Sequence, residues 1–206
     1  FLPLYGGVGL GSAHLRGLEW GSAFIEAYAV TVDGPARLYG GTHQEYSDGE
    51  GLTFGVREKR IESHYTFNGD VDWAADNAMT GPGTITIGTD GRFLDSHDYH
   101  RPYGSTGARL PQYIDIAEFD NRGTYLKTGA GDTVMRGRFV NSGQVAVHRG
   151  NLTLAGATDN TGTLEATGGA RLVVHGPLQQ LQRASGWFPP QQELTGGRYV
   201  MRDGVI

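Results

Sequence analysis

The chain has 206 residues, of which 34 are glycine and none cysteine, with 38% hydrophobic and 19% charged residues and a formal net charge of −5. Ordinary glycine usage of about 7% would give about 14 in this length, so the excess demands an architecture of many tight turns rather than collagen, which needs glycine at every third position. The acidic balance with no run of Lys or Arg argues against a phosphate-tracking surface, the missing cysteines exclude disulfides and thiolate metal sites, and no stretch nears the roughly 20 apolar residues of a membrane span.

Taken in chain order, Gly6 to Gly11 is glycine-rich with neither a strand before it nor a helix after it, and reads as flexible chain. Leu15 to Tyr28 has partly helical apolar spacing, but Gly17 and Gly21 each cost about 1 kcal/mol in a helix interior, so no helix is convincing. Ala29 to Gly34 and Ala36 to Gly40 read as two strands with a turn between them. Residues 41–65 are polar and lack alternation, which predicts a loop insertion. Phe67-Asn68-Gly69 precedes an alternating strand to Trp73, and Gly83 to Gly88 and Gly91 to Leu94 are further strands. Residues 95–118 predict a second loop insertion, rich in His, Tyr and charge. Residues 119–176 are the most regular part. Gly186-Trp187-Phe188-Pro189-Pro190 interrupts the pattern before Leu194 to Met201 resumes it. The chain starts at Phe1 rather than methionine and stops at Ile206 within what reads as another coil. That suggests a processed product, a longer parent protein or end-to-end assembly.

The regular part carries two markers with one period. Asn121-Arg122-Gly123, Asn141-Ser142-Gly143 and Asn160-Thr161-Gly162 lie at spacings of 20 and 19. Gly131, Gly150 and Gly169 recur every 19. Between the markers, the inward candidates are Tyr125 and Lys127, Val145 and Val147, Leu164 and Ala166, then Thr133 and Met135, Leu152 and Leu154, Leu172 and Val174. A coil of about 20 residues cannot bury its own apolar face, but the next coil stacked on it does. Equivalent side chains then form columns: an asparagine ladder of Asn121, Asn141 and Asn160, and a phenylalanine pair of Phe119 and Phe139 that Thr158 breaks. The glycines Gly123, Gly143 and Gly162 are expected to supply positive φ. An ordinary hairpin turn also uses NxG, but three copies in register with a second marker favour the solenoid.

The densest titratable cluster, Asp95-Ser96-His97-Asp98-Tyr99-His100-Arg101, falls in the second insertion. Asp95 and Asp98 could form a carboxylate pair for glycoside hydrolysis, assisted by His97 or His100, or the His and Asp side chains could hold a metal. A solvated surface loop is the simpler reading, and no metal or cofactor is expected. Asp70 and Asp72 share a strand face without a third acid one coil on, which reads as a solvated outer face. Tyr99, Tyr103, Tyr113 and Trp187 are candidates for glycan or partner contact, because sugar rings stack on aromatic faces. The P-loop, HExxH, EF-hand, nucleophile-elbow and dinucleotide patterns are missing.

The segment from Phe119 to Val174, with FDNRGTYLKTGAGDTVMRGRFVNSGQVAVHRGNLTLAG at its heart, resembles the repeat regions of large bacterial extracellular proteins. These include autotransporter passengers and filamentous-haemagglutinin-like adhesins; FNGDVDW, MTGPGTITIG and LTGGRYVMRDG are similar in kind. The resemblance implies an all-β, right-handed parallel β-helix, a single β-solenoid domain over 1–206, and export to the extracellular space or bacterial cell surface. It also implies a structural or adhesive role in a fibre or filament, with self-association or surface glycans as partners. Polysaccharide lyases and glycosidases share the fold, so a polysaccharide-active enzyme is the alternative.

Overall fold

The computed structural model describes residues 9–21, 25–39, 42–47, 53–74, 78–98, 101–103, 108–175, 198–202 and 204–205. The fold is a parallel β-helix, and among the described residues there is no helix. Three ladders of parallel strands build it, and each complete coil takes one strand from each ladder.

The first ladder runs β1 (Gly9–Leu15), β3 (Glu26–Val32), β7 (His64–Phe67), the second half of β9 (Ala78–Ile87), the second half of β13 (Gln112–Asn121), β16 (Arg138–Asn141) and β19 (Thr158–Asn160). The second runs β2 (Leu18–Trp20), β4 (Ala36–Leu38), β8 (Asp70–Trp73), β10 (Arg92–Asp95), β14 (Thr124–Lys127), β17 (Gln144–Val147), β20 (Thr163–Thr167) and β22 (Arg198–Arg202). The third starts at the end of β6 (Thr53–Arg60) and continues through the first halves of β9 and β13 to β15 (Thr133–Met135), β18 (Asn151–Leu154) and β21 (Arg171–Val174). Because β9 and β13 run on through a corner, with a register shift between Ile116 and Glu118, the first and third ladders join into one 12-stranded sheet.

Alternation along each strand sends every second side chain inward, and parallel register stacks those side chains in columns. On the first ladder the inner columns are Val30, Tyr65, Ile85, Phe119, Phe139, Thr158 and Val32, Phe67, Ile87, Asn121, Asn141, Asn160. All of them are buried. Each enclosed aliphatic or aromatic side chain contributes about 1.5–3 kcal/mol. The columns from all three ladders merge into one core.

The asparagine ladder has a direction. Asn121 Nδ2 donates to Asn141 Oδ1 at 2.7 Å and Asn141 Nδ2 donates to Asn160 Oδ1 at 2.6 Å, while the same two nitrogens reach the carbonyls of Gln144 and Thr163 beyond the turn. Below Asn121 the column continues as Ile87, which offers no donor, and Asn121 Oδ1 is left without a partner. FNGDVDW falls one residue out of this phase: Phe67 occupies the asparagine column and Asn68 is exposed, donating to Asp33 Oδ1.

Four expectations are corrected. Gly123, Gly143 and Gly162 are not among the positive-φ glycines, which in the described residues are Gly81, Gly150, Gly168 and Gly169. What they need is space, since a Cβ on Gly143 or Gly162 would lie 2.1 Å from the carbonyl oxygen of the glycine one coil below. Gly9 to Gly11, read as flexible chain, belong to β1; the 15–28 stretch, where no helix is convincing, yields β2 and the start of β3, whose apolar residues meet parallel partners. The 41–65 insertion is a hairpin in which β5 (Thr42–Ser47) pairs antiparallel with β6, whose end joins β9; Ile61 and Tyr65 are already core. The 95–118 insertion shrinks to a hairpin of β11 (Arg101–Tyr103) and β12 (Ala108–Leu110), and residues from Gln112 onward are in the sheet. Both hairpins leave the rod between the second and third ladders, two coils apart.

Candidate functional site

The chemistry anticipated in a surface loop lies inside the rod. Strand β10 alternates Phe93 inward, Leu94 outward and Asp95 inward, and His97 keeps that inward phase past the end of the strand. Asp95 is 0% exposed and His97 2%. One coil on, Lys127 is the register partner of Asp95 and is likewise fully enclosed.

Asp95 gathers donors from two ladders. His97 Nδ1 lies 2.6 Å from Oδ1, and the hydroxyls of Tyr125 and Thr133 each donate to Oδ2 at 2.6 Å. Lys127 Nζ stands farther off, 3.4 and 3.5 Å from the two oxygens. The backbone closes over the cluster: Thr128 and Gly129 N–H groups donate to the Asp95 carbonyl, and Gly131 N–H to the His97 carbonyl. Gly131 is required here, because a Cβ would sit 2.5 Å from His97 Cδ2 and 2.6 Å from Nε2. Trp73 covers the other side, its ring centroid 5.4 Å from that of His97. His97 Nε2 is buried without a partner.

Burial by itself raises the Asp95 carboxyl. The His97 hydrogen bond, the Lys127 charge and the Thr133 hydroxyl outweigh it and hold the carboxyl below its ordinary range. Burial lowers the Lys127 amine, and the charge and hydrogen bond of Asp95 only partly oppose that. Of the two, the carboxylate is the better supported ion, with three donors at 2.6 Å against the long Lys127 contacts. Burial also raises the Tyr125 hydroxyl well above its usual range, with the Asp95 charge adding to the shift.

This geometry separates the proposed carboxylate pair. Asp95 is inside, whereas Asp98 is exposed, accepting from the Ala130 backbone N–H at 2.7 Å and lying 3.9 Å from Arg149. A polymer sliding along the rod can touch Asp98 but not Asp95 or His97. His100, Tyr99 and Trp187 lie outside the described residues; Tyr103 has its backbone in β11. Tyr113 is half-buried with the Arg136 guanidinium 3.9 Å over its ring. Asp70 and Asp72 face outward, Asp70 against Arg92 at 2.8 Å and Asp72 near Arg37 at 3.9 Å, in a groove that also includes Glu19 and Leu94. Among the described residues no cluster of His, Asp or Glu suits a metal ion. No described helix is long and apolar enough to cross a membrane.

A second buried cation was not legible. Lys59, at the foot of the first hairpin, is the register partner of Met79 and points into the core. Its Nζ donates to the carbonyls of Trp20, Gly21 and Tyr39 at 2.8, 2.5 and 3.4 Å and stands 4.6 Å over the Trp20 ring. Burial lowers its amine to about 7. Exposed Tyr28, at 75%, is a further aromatic that strand alternation alone would place outward. No family profile, no curated protein and no solved structure matches this chain.

Proposed function

We propose that this chain is a structural or adhesive β-solenoid of the extracellular space or bacterial cell surface, serving as a segment of a fibre or filament. The observation that carries the reading is the unbroken inner column from Val32 through Asn160, which makes the described coils one stiff rod, with Asp95, His97 and Lys127 turned inward. Two hairpins leave the same edge of that rod, two coils or about 10 Å apart at a strand spacing near 4.8 Å, and present an irregular surface for glycans or a neighbouring copy. Exposed Tyr28 and half-buried Tyr113 add aromatic faces on the outside.

Negative-stain electron microscopy of the purified chain, together with a panel of polysaccharides screened for retention and turnover, tests this. Rods or fibres of uniform width with glycan retention and no turnover are expected. Depolymerisation that disappears on Asp98→Asn would replace the reading with the enzymatic one.

A further inference from the structure

The Asp95 cluster is oddly built for an ion pair. Lys127 Nζ is nearly equidistant from both carboxylate oxygens at 3.4 and 3.5 Å, long against the ~2.7–2.9 Å of a charge-assisted bond. Above and below it in the same column the rungs are Trp73 and Val147, both fully enclosed. Replacing such a buried pair by apolar side chains is often neutral or stabilising, so attraction alone is a weak reason for its presence.

We propose that Lys127 and Asp95 condense to a side-chain amide, an isopeptide cross-link that joins two neighbouring coils covalently. The parts are in place. Nζ stands 3.4 and 3.5 Å from the two oxygens bonded to Cγ, the atom it would attack. The hydroxyls of Tyr125 and Thr133 point at Oδ2, where negative charge builds when nitrogen adds to the carboxyl carbon. His97 Nδ1 points at Oδ1, the oxygen that leaves. Burial disfavours the charged amine, which assists its conversion to a nucleophile.

The step balances without any outside reagent. A proton passes from the Lys127 ammonium, which burial disfavours, to Asp95 Oδ1, against the donors that favour the carboxylate, leaving an amine and a carboxylic acid. Nζ bonds to Cγ, and the Oδ2 oxyanion is held by the two hydroxyls. The Cγ–Oδ1 bond then breaks. Oδ1 departs as water with its own proton and one from the nitrogen, relayed through His97 Nδ1. The products are one secondary amide and one water. Oδ2 becomes the amide carbonyl and keeps the Tyr125 and Thr133 hydrogen bonds. In a chain with no cysteine, this supplies a covalent tie between coils that a disulfide would otherwise provide. The inference does not depend on the adhesive reading above.

Intact-mass spectrometry of the purified full chain tests it. The expected mass is lighter than the sequence mass by one water, and proteolysis should release a branched peptide joining Asp95 to Lys127. A chain at its full sequence mass overturns the proposal. Lys127→Met should restore the full mass; a variant that still lacks one water would place the loss elsewhere and equally overturn it. His97→Gln, checked for folding by circular dichroism, should accumulate the uncross-linked form, and complete cross-linking in that variant would remove His97 from the reaction. Should either variant fail to fold, the mass of the natural chain still decides.

Discussion

Lys59 shows how a single residue can hold a corner of the rod and make it sensitive to pH. The hairpin ending at Arg60 leaves the carbonyls of Trp20, Gly21 and Tyr39 near the exit point, and the Lys59 ammonium gathers all three. Against this stands the cost of burial, which brings its folded pKa to about 7 from an ordinary 10.5. Below about pH 7 both folded and unfolded chains carry the proton, so Lys59 adds no slope. Between about 7 and 10.5 the unfolded chain keeps a proton that the folded chain has released, so stability rises with pH across that window, by at most about 1.4 kcal/mol per unit. The raised hydroxyls of Tyr65 and Tyr125 act in the opposite direction above about pH 10, but equally in a Lys59→Met variant. Urea midpoints of both proteins at several pH values should therefore diverge in favour of the natural chain as pH rises. Parallel curves would show that the three carbonyls hold the ammonium charged throughout.

At the scale of the turn, contact between coils rather than backbone dihedrals selects glycine. Gly143 lies with its Cβ position 2.1 Å from the Gly123 carbonyl, and its own carbonyl accepts from Thr163 N–H in the coil above. Gly143→Ala must push two coils apart, a strain of about 1–3 kcal/mol, whereas Gly11→Ala, with nothing within 4 Å, should stay within about 0.5 kcal/mol of the natural chain. Denaturant unfolding of the two variants compares them directly, and equal losses would refute the stacking argument. These same turns are why the regular coils were legible: asparagine and glycine repeat because each coil repeats the same close approach. Alternation likewise placed Lys127 on the inner face. Its partner was missed because Asp95 lies 32 residues earlier, across the second hairpin, so the period of 19 or 20 does not align them. A charged residue next to two histidines also reads as the start of a loop unless Phe93 fixes the phase. Lys59 was hidden in the same way, 39 residues from the Trp20 carbonyl it binds and in a segment whose antiparallel pairing carries no coil period.

Across the whole molecule, each coil touches only its neighbours, so protection against local opening depends on how many neighbours a coil has and how well its columns are filled. The middle coils have both. Phe93 stacks on Tyr125 with centroids 5.5 Å apart, Phe119 meets Phe93 edge-on at 5.4 Å and stacks on Phe139 at 5.9 Å, and the Asp95 cluster lies in the same layer. Among the described residues β1 and β2 have a strand partner on one side only, and small Ala36 sits opposite Leu18. Strands at that end part from a single neighbour, whereas β10 and β14 are held from both sides, and an isopeptide bond from Asp95 to Lys127 would hold the latter pair even when hydrogen bonds part. Hydrogen exchange followed by mass spectrometry should therefore find the slowest amides in β10, β14 and the second half of β13, with exchange quickening toward β1 and β2. If β2 were as protected as β14, the rod would open only as one cooperative unit, and the aromatic layer would not be its most stable part.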